Sequence, residues 1–184
     1  MAVTGDWYIL FVKTGCEEKV AGVLNEKMDQ EKSRAFTPRK KIIFRRKGVD
    51  HIYQEILFPG YVFIETEKTF RELSREVQYL VSSLKVVYRF LHYADPRQAA
   101  LHEEEKKEIM AMCGGDLCLG NSKGIIEGGR IKILSGALVG KEAAIKRIDR
   151  HKRQAVIEMM LFGETREIVV ALEILEVRKE LQFE

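Results

Sequence analysis

Apolar and polar residues follow two different periods along the first part of this chain. Short apolar runs typical of strands are separated by segments whose apolar residues recur every three to four positions, as on one face of a helix. The pattern predicts the order β-α-β-β-α-β followed by one more helix. The corresponding segments are strand 7–12, helix 17–30, strands 35–47 and 52–65, helix 70–80, strand 86–91 and helix 101–113.

This order predicts an α+β fold, in which a mainly antiparallel sheet has helices on one face, the split βαβ arrangement. Two helix starts have capping signals: Thr14 with Glu17, and Thr69 with Glu72. Pro59 interrupts strand 52–65 because proline cannot donate a ladder hydrogen bond. The Phe-Pro-Gly-Tyr segment at 58–61 therefore either turns a corner of the sheet or presents its rings to a partner.

The remainder of the chain has a different character. Six glycines between residues 114 and 129 predict a flexible linker over 114–128. The chain would then have domains at 1–113 and 129–184. Short alternating runs separated by turn signals predict a small five-stranded β-barrel in the second domain, with strands at 130–134, 141–148, 154–161, 165–170 and 172–177. The composition of 141–160 also permits a helix, but the flanking glycines and regular turns favour strands.

Basic residues are concentrated in two places, although the net charge is only +3. Residues 34–47 contain seven basic residues and no acid, and residues 141–153 contain six against two acids. Such clusters either protect exposed strand edges or bind an anionic partner. Their presence twice on a nearly balanced chain favours nucleic acid.

Several classes of protein are disfavoured. The apolar runs are too short to cross a bilayer, and residues 7–12 are too short for a signal peptide, so a cytoplasmic protein without a membrane partner is expected. Cys16, Cys113 and Cys118 suggest free thiols; zinc at Cys113 and Cys118 with His102 is the weaker alternative. The histidines have no spacing typical of catalysis, so we expect no enzyme activity, no metal and no cofactor.

Several motifs resemble one known family. Trp7-Tyr8 opens a strand, Gly15 precedes a helix, and Leu57-Phe58-Pro59-Gly60-Tyr61-Val62 and residues 81–90 follow in order. These are similar to the N-terminal domain of NusG-type transcription elongation factors. The segments 129–133, 136–140 and 162–165 are similar to the KOW domain of the same family. The resemblance covers nearly the whole chain.

The resemblance implies a monomeric factor that binds the clamp region of RNA polymerase through its N-terminal domain and suppresses pausing. Carried over by position, the apolar docking surface would comprise Tyr8, Phe58, Pro59, Tyr61 and Phe63. Strand alternation places Tyr61 and Phe63 on one face and Val62 and Ile64 on the other. The alternative for each aromatic is an ordinary place in the core.

Within the family, the basic clusters make the chain most similar to the specialised LoaP-type antiterminators, which are recruited by an RNA hairpin. The partners expected are therefore RNA polymerase and a structured leader RNA, with DNA as a further candidate. A general elongation factor without specific RNA binding, or a ribosomal-type structural RNA-binding protein, remains the alternative. The expected nucleic-acid contacts are Arg34, Arg39, Lys40, Lys41, Arg45, Arg46, Lys47, Lys132, Lys141, Lys146, Arg147, Arg150, His151, Lys152, Arg153 and Arg166.

Overall fold

A computed structural model describes residues 5–95 and 97–178, except for the side chains of Arg45 and Arg46. It contains three α-helices and twelve strands in these residues. In chain order they are β1 (Asp6–Val12), α1 (Glu17–Lys27), β2 (Ser33–Phe36), β3 (Arg39–Arg46), β4 (Val49–Ile56), β5 (Tyr61–Thr66), α2 (Phe70–Ser83), β6 (Val87–Phe90), α3 (Glu103–Cys113), β7 (Cys118–Leu119), β8 (Ser122–Glu127), β9 (Arg130–Ser135), β10 (Ile145–Asp149), β11 (Gln154–Leu161) and β12 (Glu164–Arg178).

The strands form three sheets. A four-stranded antiparallel sheet has the order β2-β5-β1-β6. A three-stranded sheet has the order β4-β3-β7, and a five-stranded sheet the order β10-β11-β12-β8-β9. Mixed α+β structure is therefore confirmed. Because the five-stranded order starts at β10 and ends at β9, with no pairing between these two strands in the described residues, closure into a barrel is not confirmed.

Contacts divide the chain into two compact units. The first contains the residues up to Pro38, Phe58–Lys107 and Leu161–Glu164, and the second contains Arg39–Leu57, Glu108–Met160 and the residues from Thr165 onward. Each unit includes residues from both sides of the predicted linker. The domain boundaries inferred from the sequence stay a prediction.

The core of the first unit lies between its sheet and the helices α1 and α2. Tyr8, Leu10 and Val12 of β1 pack there with Val62 and Ile64 of β5. The helices contribute Val20, Ala21, Leu24, Leu73 and Val77. Alternation along β1 and β5 explains this layer, since every second side chain points to the same face.

The predicted strand 52–65 is divided into two strands that belong to different sheets. β4 ends at Ile56 and pairs with β3, whereas β5 begins at Tyr61 and pairs with β1 and β2. The N–H of Tyr61 donates to the carbonyl of Phe58 at 3.2 Å, and Gly60 has φ 87°. The chain therefore turns at Pro59 and Gly60, which is the first of the two possibilities that the sequence left open.

The glycine-rich segment 114–128 contains two strands, β7 and β8, which the sequence does not predict. A Cβ atom added at Gly124 would lie 2.7 Å from the carbonyl oxygen of Lys132 on the neighbouring β9. This glycine permits close approach of two paired backbones. Glycine suggests a flexible linker in the sequence, whereas Gly124 allows two strands to pack closely in the structure.

The strand interpretation of residues 141–160 is confirmed over most of its length. β10 and β11 are antiparallel partners, preceded by a short 3-10 turn at Glu142–Ala144. The two predicted strands 165–170 and 172–177 form one continuous strand, β12. The β-branched Val156 and Ile157 of β11 are buried, as are Ile168 and Val170 of β12, which explains why packing prevails over local helix propensity.

Candidate functional site

The five residues predicted to form one apolar docking surface do not form one. Tyr8, Phe58 and Phe63 are 4%, 3% and 0% exposed. Tyr8 stacks on Phe70 of α2, on the helix-covered face of the sheet. Phe63 packs on the opposite face, with its ring centroid 5.8 Å from that of Trp7. The predicted docking surface fails because Tyr8 and Phe63 are buried on opposite faces of the sheet, where they pack against other aromatic rings. The predicted alternation along β5, with Tyr61 and Phe63 on one face and Val62 and Ile64 on the other, is confirmed.

A smaller aromatic group in the first unit is accessible. The ring of Phe11 lies 5.8 Å from that of Tyr61 and 5.1 Å from that of Tyr88, measured between centroids. Tyr88 is 53% exposed, Phe11 and Tyr61 are half-buried, and Pro59 beside them is exposed. We call Phe11, Tyr61 and Tyr88 the aromatic cluster.

Sequence reasoning missed Phe11 and Tyr88. Phe11 is the direct cross-strand partner of Tyr61 on β5 and of Arg89 on β6. The sequence places these aromatics in three separate strands, so only the strand order β5-β1-β6 and its register bring them together. Alternation from the buried Leu10 is the signal that could have identified Phe11.

A buried carboxylate fixes the turn next to this cluster. Glu17 is 1% exposed, and its side chain accepts the N–H of Gly60 at 2.6 Å and that of Gly15 at 2.7 Å. The predicted capping box between Thr14 and Glu17 is therefore wrong: Cys16 occupies the N-cap position of α1, and no side chain caps it. The predicted start of α2 at Thr69, with Glu72 in the first turn, is confirmed, and these two residues form a reciprocal capping box.

Several of the predicted nucleic-acid contacts already have partners within the protein. Lys40 is 8% exposed as a residue, and its ammonium group donates a hydrogen bond to the carbonyl of Val169 at 2.9 Å. Burial lowers the pKa of Lys40, although Glu55, 3.6 Å away, favours its charged form. Four further ion pairs join Arg34 to Glu65, Lys141 to Glu108, Lys146 to Glu158 and Arg153 to Asp50. These contacts favour structural roles for Lys40, Arg34, Lys141, Lys146 and Arg153 over direct contact with nucleic acid.

The remaining basic residues differ in exposure. Arg39, Lys41 and Arg166 are half-buried, and Lys47 and Lys132 are exposed. The side chains of Arg45 and Arg46 lie outside what the structure describes. The largest exposed group occupies the end of β10 and the turn to β11 and comprises Arg147, Arg150, His151 and Lys152. We call these four residues the basic turn.

The backbone of this turn is held in shape by local hydrogen bonds. Asp149 accepts the N–H of Lys152 at 3.0 Å, and this bond lowers the pKa of the Asp149 carboxyl. Arg153, with φ 52°, completes the turn and forms ion pairs with Asp50 at 2.8 Å and Glu173 at 3.6 Å. Within 4.0 Å, Arg147 and Arg150 have no carboxylate among the described residues. Their charge is available to an anion.

A cleft of about 550 Å³ lies beside the basic turn in the second unit. Its lining includes Phe44 and Tyr53 of the β3–β4 hairpin, together with Arg150, His151 and Lys152. A second depression, of about 570 Å³, is lined by Arg147 and other residues of the same turn. The basic turn therefore lines two depressions, and the cleft of about 550 Å³ also contains the aromatic rings of Phe44 and Tyr53.

Metal binding finds no support in the described residues, where no group of three or more His, Cys, Asp or Glu side chains is suitably placed. All three cysteines are free thiols, and Cys113 and Cys118 are buried. None of the helices in the described ranges has the length and apolar character that crossing a bilayer requires.

Comparisons with known proteins agree on one family. A family profile described as NusG, "Transcription termination factor nusG", matches residues 5–110. A "Transcription termination/antitermination protein NusG" of Neisseria meningitidis is 23% identical over 179 residues, covering 94% of this chain and 97% of its own length. Its namesake in Streptococcus pyogenes is 26% identical over 160 residues, covering 83% and 86%.

A solved structure has a similar fold. The structure described as "Domain interaction in Thermotoga maritima NusG" is 24% identical, with a TM-score of 0.51. The match covers 92% of this chain and 93% of that chain. At this identity the likeness concerns the fold alone.

Proposed function

Because the chain belongs to the NusG family of transcription termination factors, we propose that it binds transcribing RNA polymerase and suppresses pausing and termination. We further propose that structured leader RNA recruits it, as in the LoaP-type members it resembles. The family profile matches residues 5–110, and the accessible aromatic cluster lies within that range. That cluster is the observation that carries the proposal.

The aromatic cluster has the properties of a protein-docking surface. Phe11, Tyr61 and Tyr88 come from three adjacent strands, so a rigid sheet positions them. Tyrosine and phenylalanine are enriched at the centres of interfaces, where they bury large area at small cost in side-chain entropy. In this proposal the cluster replaces the buried Tyr8, Phe58 and Phe63 as the contact with the polymerase clamp. Preferential binding to the closed clamp would increase the population of that state.

The basic turn is the proposed RNA contact. Arg147, Arg150, His151 and Lys152 are exposed together, and only a 4.0 Å ion pair with Asp149 engages the Lys152 ammonium group. Lys40, Lys146 and Arg153 have closer partners inside the protein. Arginine and lysine contact phosphates, which supply affinity and position the protein on the nucleic acid. The proposal includes a KOW-type barrel after residue 129, where four strands of the five-stranded sheet lie, β9 to β12. The fifth strand of that sheet, β8 (Ser122–Glu127), precedes this residue.

Co-purification with RNA polymerase tests the docking proposal. Alanine at both Phe11 and Tyr88 should reduce the amount of polymerase recovered with the tagged protein, since each substitution removes part of the cluster. Tyr79→Ala is the matched control, because Tyr79 is 79% exposed but lies on α2, which packs on the opposite face of the sheet. Equal recovery with all variants would contradict the docking proposal.

RNA binding is tested separately by charge reversal. Glutamate at Arg147, Arg150 and Lys152 should weaken binding to leader RNA and leave polymerase recovery unchanged. In the unsubstituted protein, affinity should fall steeply with salt, by about 0.7 to 0.9 log units per log unit of salt for each phosphate neutralised. Unchanged RNA affinity would favour a general elongation factor. RNA binding without polymerase recovery would favour a ribosomal-type RNA-binding protein.

A further inference from the structure

Two exposed aromatic side chains lie on one face of the β3–β4 hairpin. Phe44 is 53% exposed and Tyr53 is 45% exposed. In the register of the hairpin, Phe44 is opposite His51 and Tyr53 is opposite Ile42. Cross-strand partners point to the same face, and residues 42 and 44 do so as well. Phe44 and Tyr53 are therefore diagonal neighbours, within reach of one another's rings.

The basic turn forms the other side of the same cleft. Arg150, His151 and Lys152 line it together with Phe44 and Tyr53. The ion pair of Arg153 with Asp50, at 2.8 Å, joins strand β4 to the residue that directly follows the basic turn. The cleft therefore has one aromatic wall and one cationic wall, and the connection between them is fixed by a defined contact.

Acidic groups near the cleft are largely compensated. Asp50 and Glu173 both pair with Arg153, and Glu55 lies 3.6 Å from the Lys40 ammonium group. Asp149 accepts the backbone N–H of Lys152. The Lys152 ammonium group lies 4.0 Å from the Asp149 carboxylate, but its side chain is 72% exposed. Arg150, which has no carboxylate within 4.0 Å among the described residues, and the exposed Lys152 are the cations that can attract phosphate at the cationic wall.

We propose that this cleft binds unpaired RNA nucleotides, with bases stacked on Phe44 and Tyr53 and phosphates against Arg150 and Lys152. This inference rests on the RNA binding proposed above and specifies which part of a structured RNA is recognised. Bases inside a duplex are already stacked and inaccessible, whereas those in loops, bulges and ends are free to stack on aromatic side chains. A volume of about 550 Å³ lies within the range of about 300–1,000 Å³ found for ligand sites.

The experiment compares three probes: a short single-stranded RNA of mixed sequence, the same strand in a blunt duplex, and single-stranded DNA of the same sequence. Titrations use the full-length protein and its variants Phe44→Ala and Tyr53→Ala. Each substitution should weaken single-stranded RNA binding by roughly 5- to 150-fold, since stacking on one ring has that range of effect. Duplex affinity and the salt dependence of binding should stay unchanged, because no phosphate contact is removed.

Ile52→Ala is the matched control. Ile52 neighbours Tyr53 on β4 and is 61% exposed, but it lies on the opposite face of the hairpin. This variant should bind all probes like the unsubstituted protein. A fluorescent adenine analogue in the single strand should be quenched by the protein and by Ile52→Ala, and less by the two ring variants.

The outcomes separate this inference from the proposed function. If Arg150 and Lys152 variants weaken RNA binding but ring variants do not, the stacking inference is wrong and the RNA proposal stands. If neither set changes RNA affinity, both are wrong. Equal losses for duplex and single strand would also overturn the stacking inference, as would tighter binding of single-stranded DNA than of RNA.

Discussion

The carboxylate of Glu17 accepts the backbone N–H of Gly60 at 2.6 Å, across 43 positions of sequence. Its second oxygen accepts the N–H of Gly15 at 2.7 Å, so one buried side chain connects the start of α1 to the turn before β5. The turn places Tyr61 beside Phe11. The geometry of the aromatic cluster therefore depends on a residue outside it.

Glu17→Ala should lower the free energy of unfolding by about 1–3 kcal/mol, because the buried N–H of Gly60 would lose its acceptor. Glu17→Gln should cost less, since the amide oxygen still accepts one of the two bonds. Urea-induced unfolding measures both effects. The same two variants should reduce polymerase recovery in that order, since the aromatic cluster adjoins the released turn.

Glu26→Ala provides the control for this prediction. Glu26 is an exposed residue of the same helix, and its removal should change the free energy of unfolding by less than about 0.5 kcal/mol. If Glu26→Ala and Glu17→Ala destabilise the protein equally, the hydrogen bond to Gly60 has no special importance.

The sequence predicts the elements of this site better than their assembly. Alternation in β1 and β5 indicates the strands, and Thr69 with Glu72 indicates the start of α2, because these are local signals. The Glu17–Gly60 bond joins distant residues, so no local pattern predicts it. The local spacing instead predicts that Glu17 forms a capping box with Thr14. In the structure the Glu17 carboxylate binds the N–H of Gly60, and no side chain caps α1.

Charge patterns in the sequence identify where basic residues are concentrated, but not which ones are available. Lys40 and Lys152 are equivalent as members of basic clusters, yet Lys40 is buried against the Val169 carbonyl and Lys152 is exposed. Aromatic residues show the same limit, since the buried Phe63 and the accessible Tyr61 lie two positions apart on one strand. Burial depends on what packs against each face, which needs the tertiary structure.

Arg153 and Arg150 should respond differently to the same substitution. Arg153→Met should lower the melting temperature more than Arg150→Met, because Arg153 pairs with Asp50 and Glu173 whereas Arg150 has no such pair among the described side chains. Arg150→Met should have the larger effect on RNA affinity at low salt. Thermal unfolding and RNA titration measure the two effects on the same samples.

A double-mutant cycle tests the Arg153 part of this prediction. Asp50→Asn should destabilise the protein on its own, and its effect should shrink in the Arg153→Met background, because the partner is already absent. Added salt should reduce the coupling, since Asp50 is 44% exposed and its charge is screened. Additive effects of the two substitutions would show that the pair contributes no interaction of its own.

Cys113 should make stability depend on pH in the alkaline range. It is 3% exposed, and burial raises the pKa of its thiol from 9.0 to about 12, with smaller contributions from Cys118 and Asp116. Well below pH 9 the thiol is protonated in both states and its contribution is constant. Above that pH the unfolded chain loses the proton while the folded protein retains it, so stability falls until the folded pKa is passed.

Cys113→Ala removes this titration and should flatten the dependence. The free energy of unfolding of the unsubstituted protein should fall by about 1 kcal/mol more than that of the variant between about pH 7 and pH 10. Urea unfolding across this range measures the difference in slope. If the two curves of unfolding free energy against pH differ only by a constant, the substitution has removed the packing of the sulfur and no titration. Parallel curves would therefore contradict a raised pKa at Cys113. Cys118→Ala should also flatten the curve, because burial raises the pKa of that thiol too.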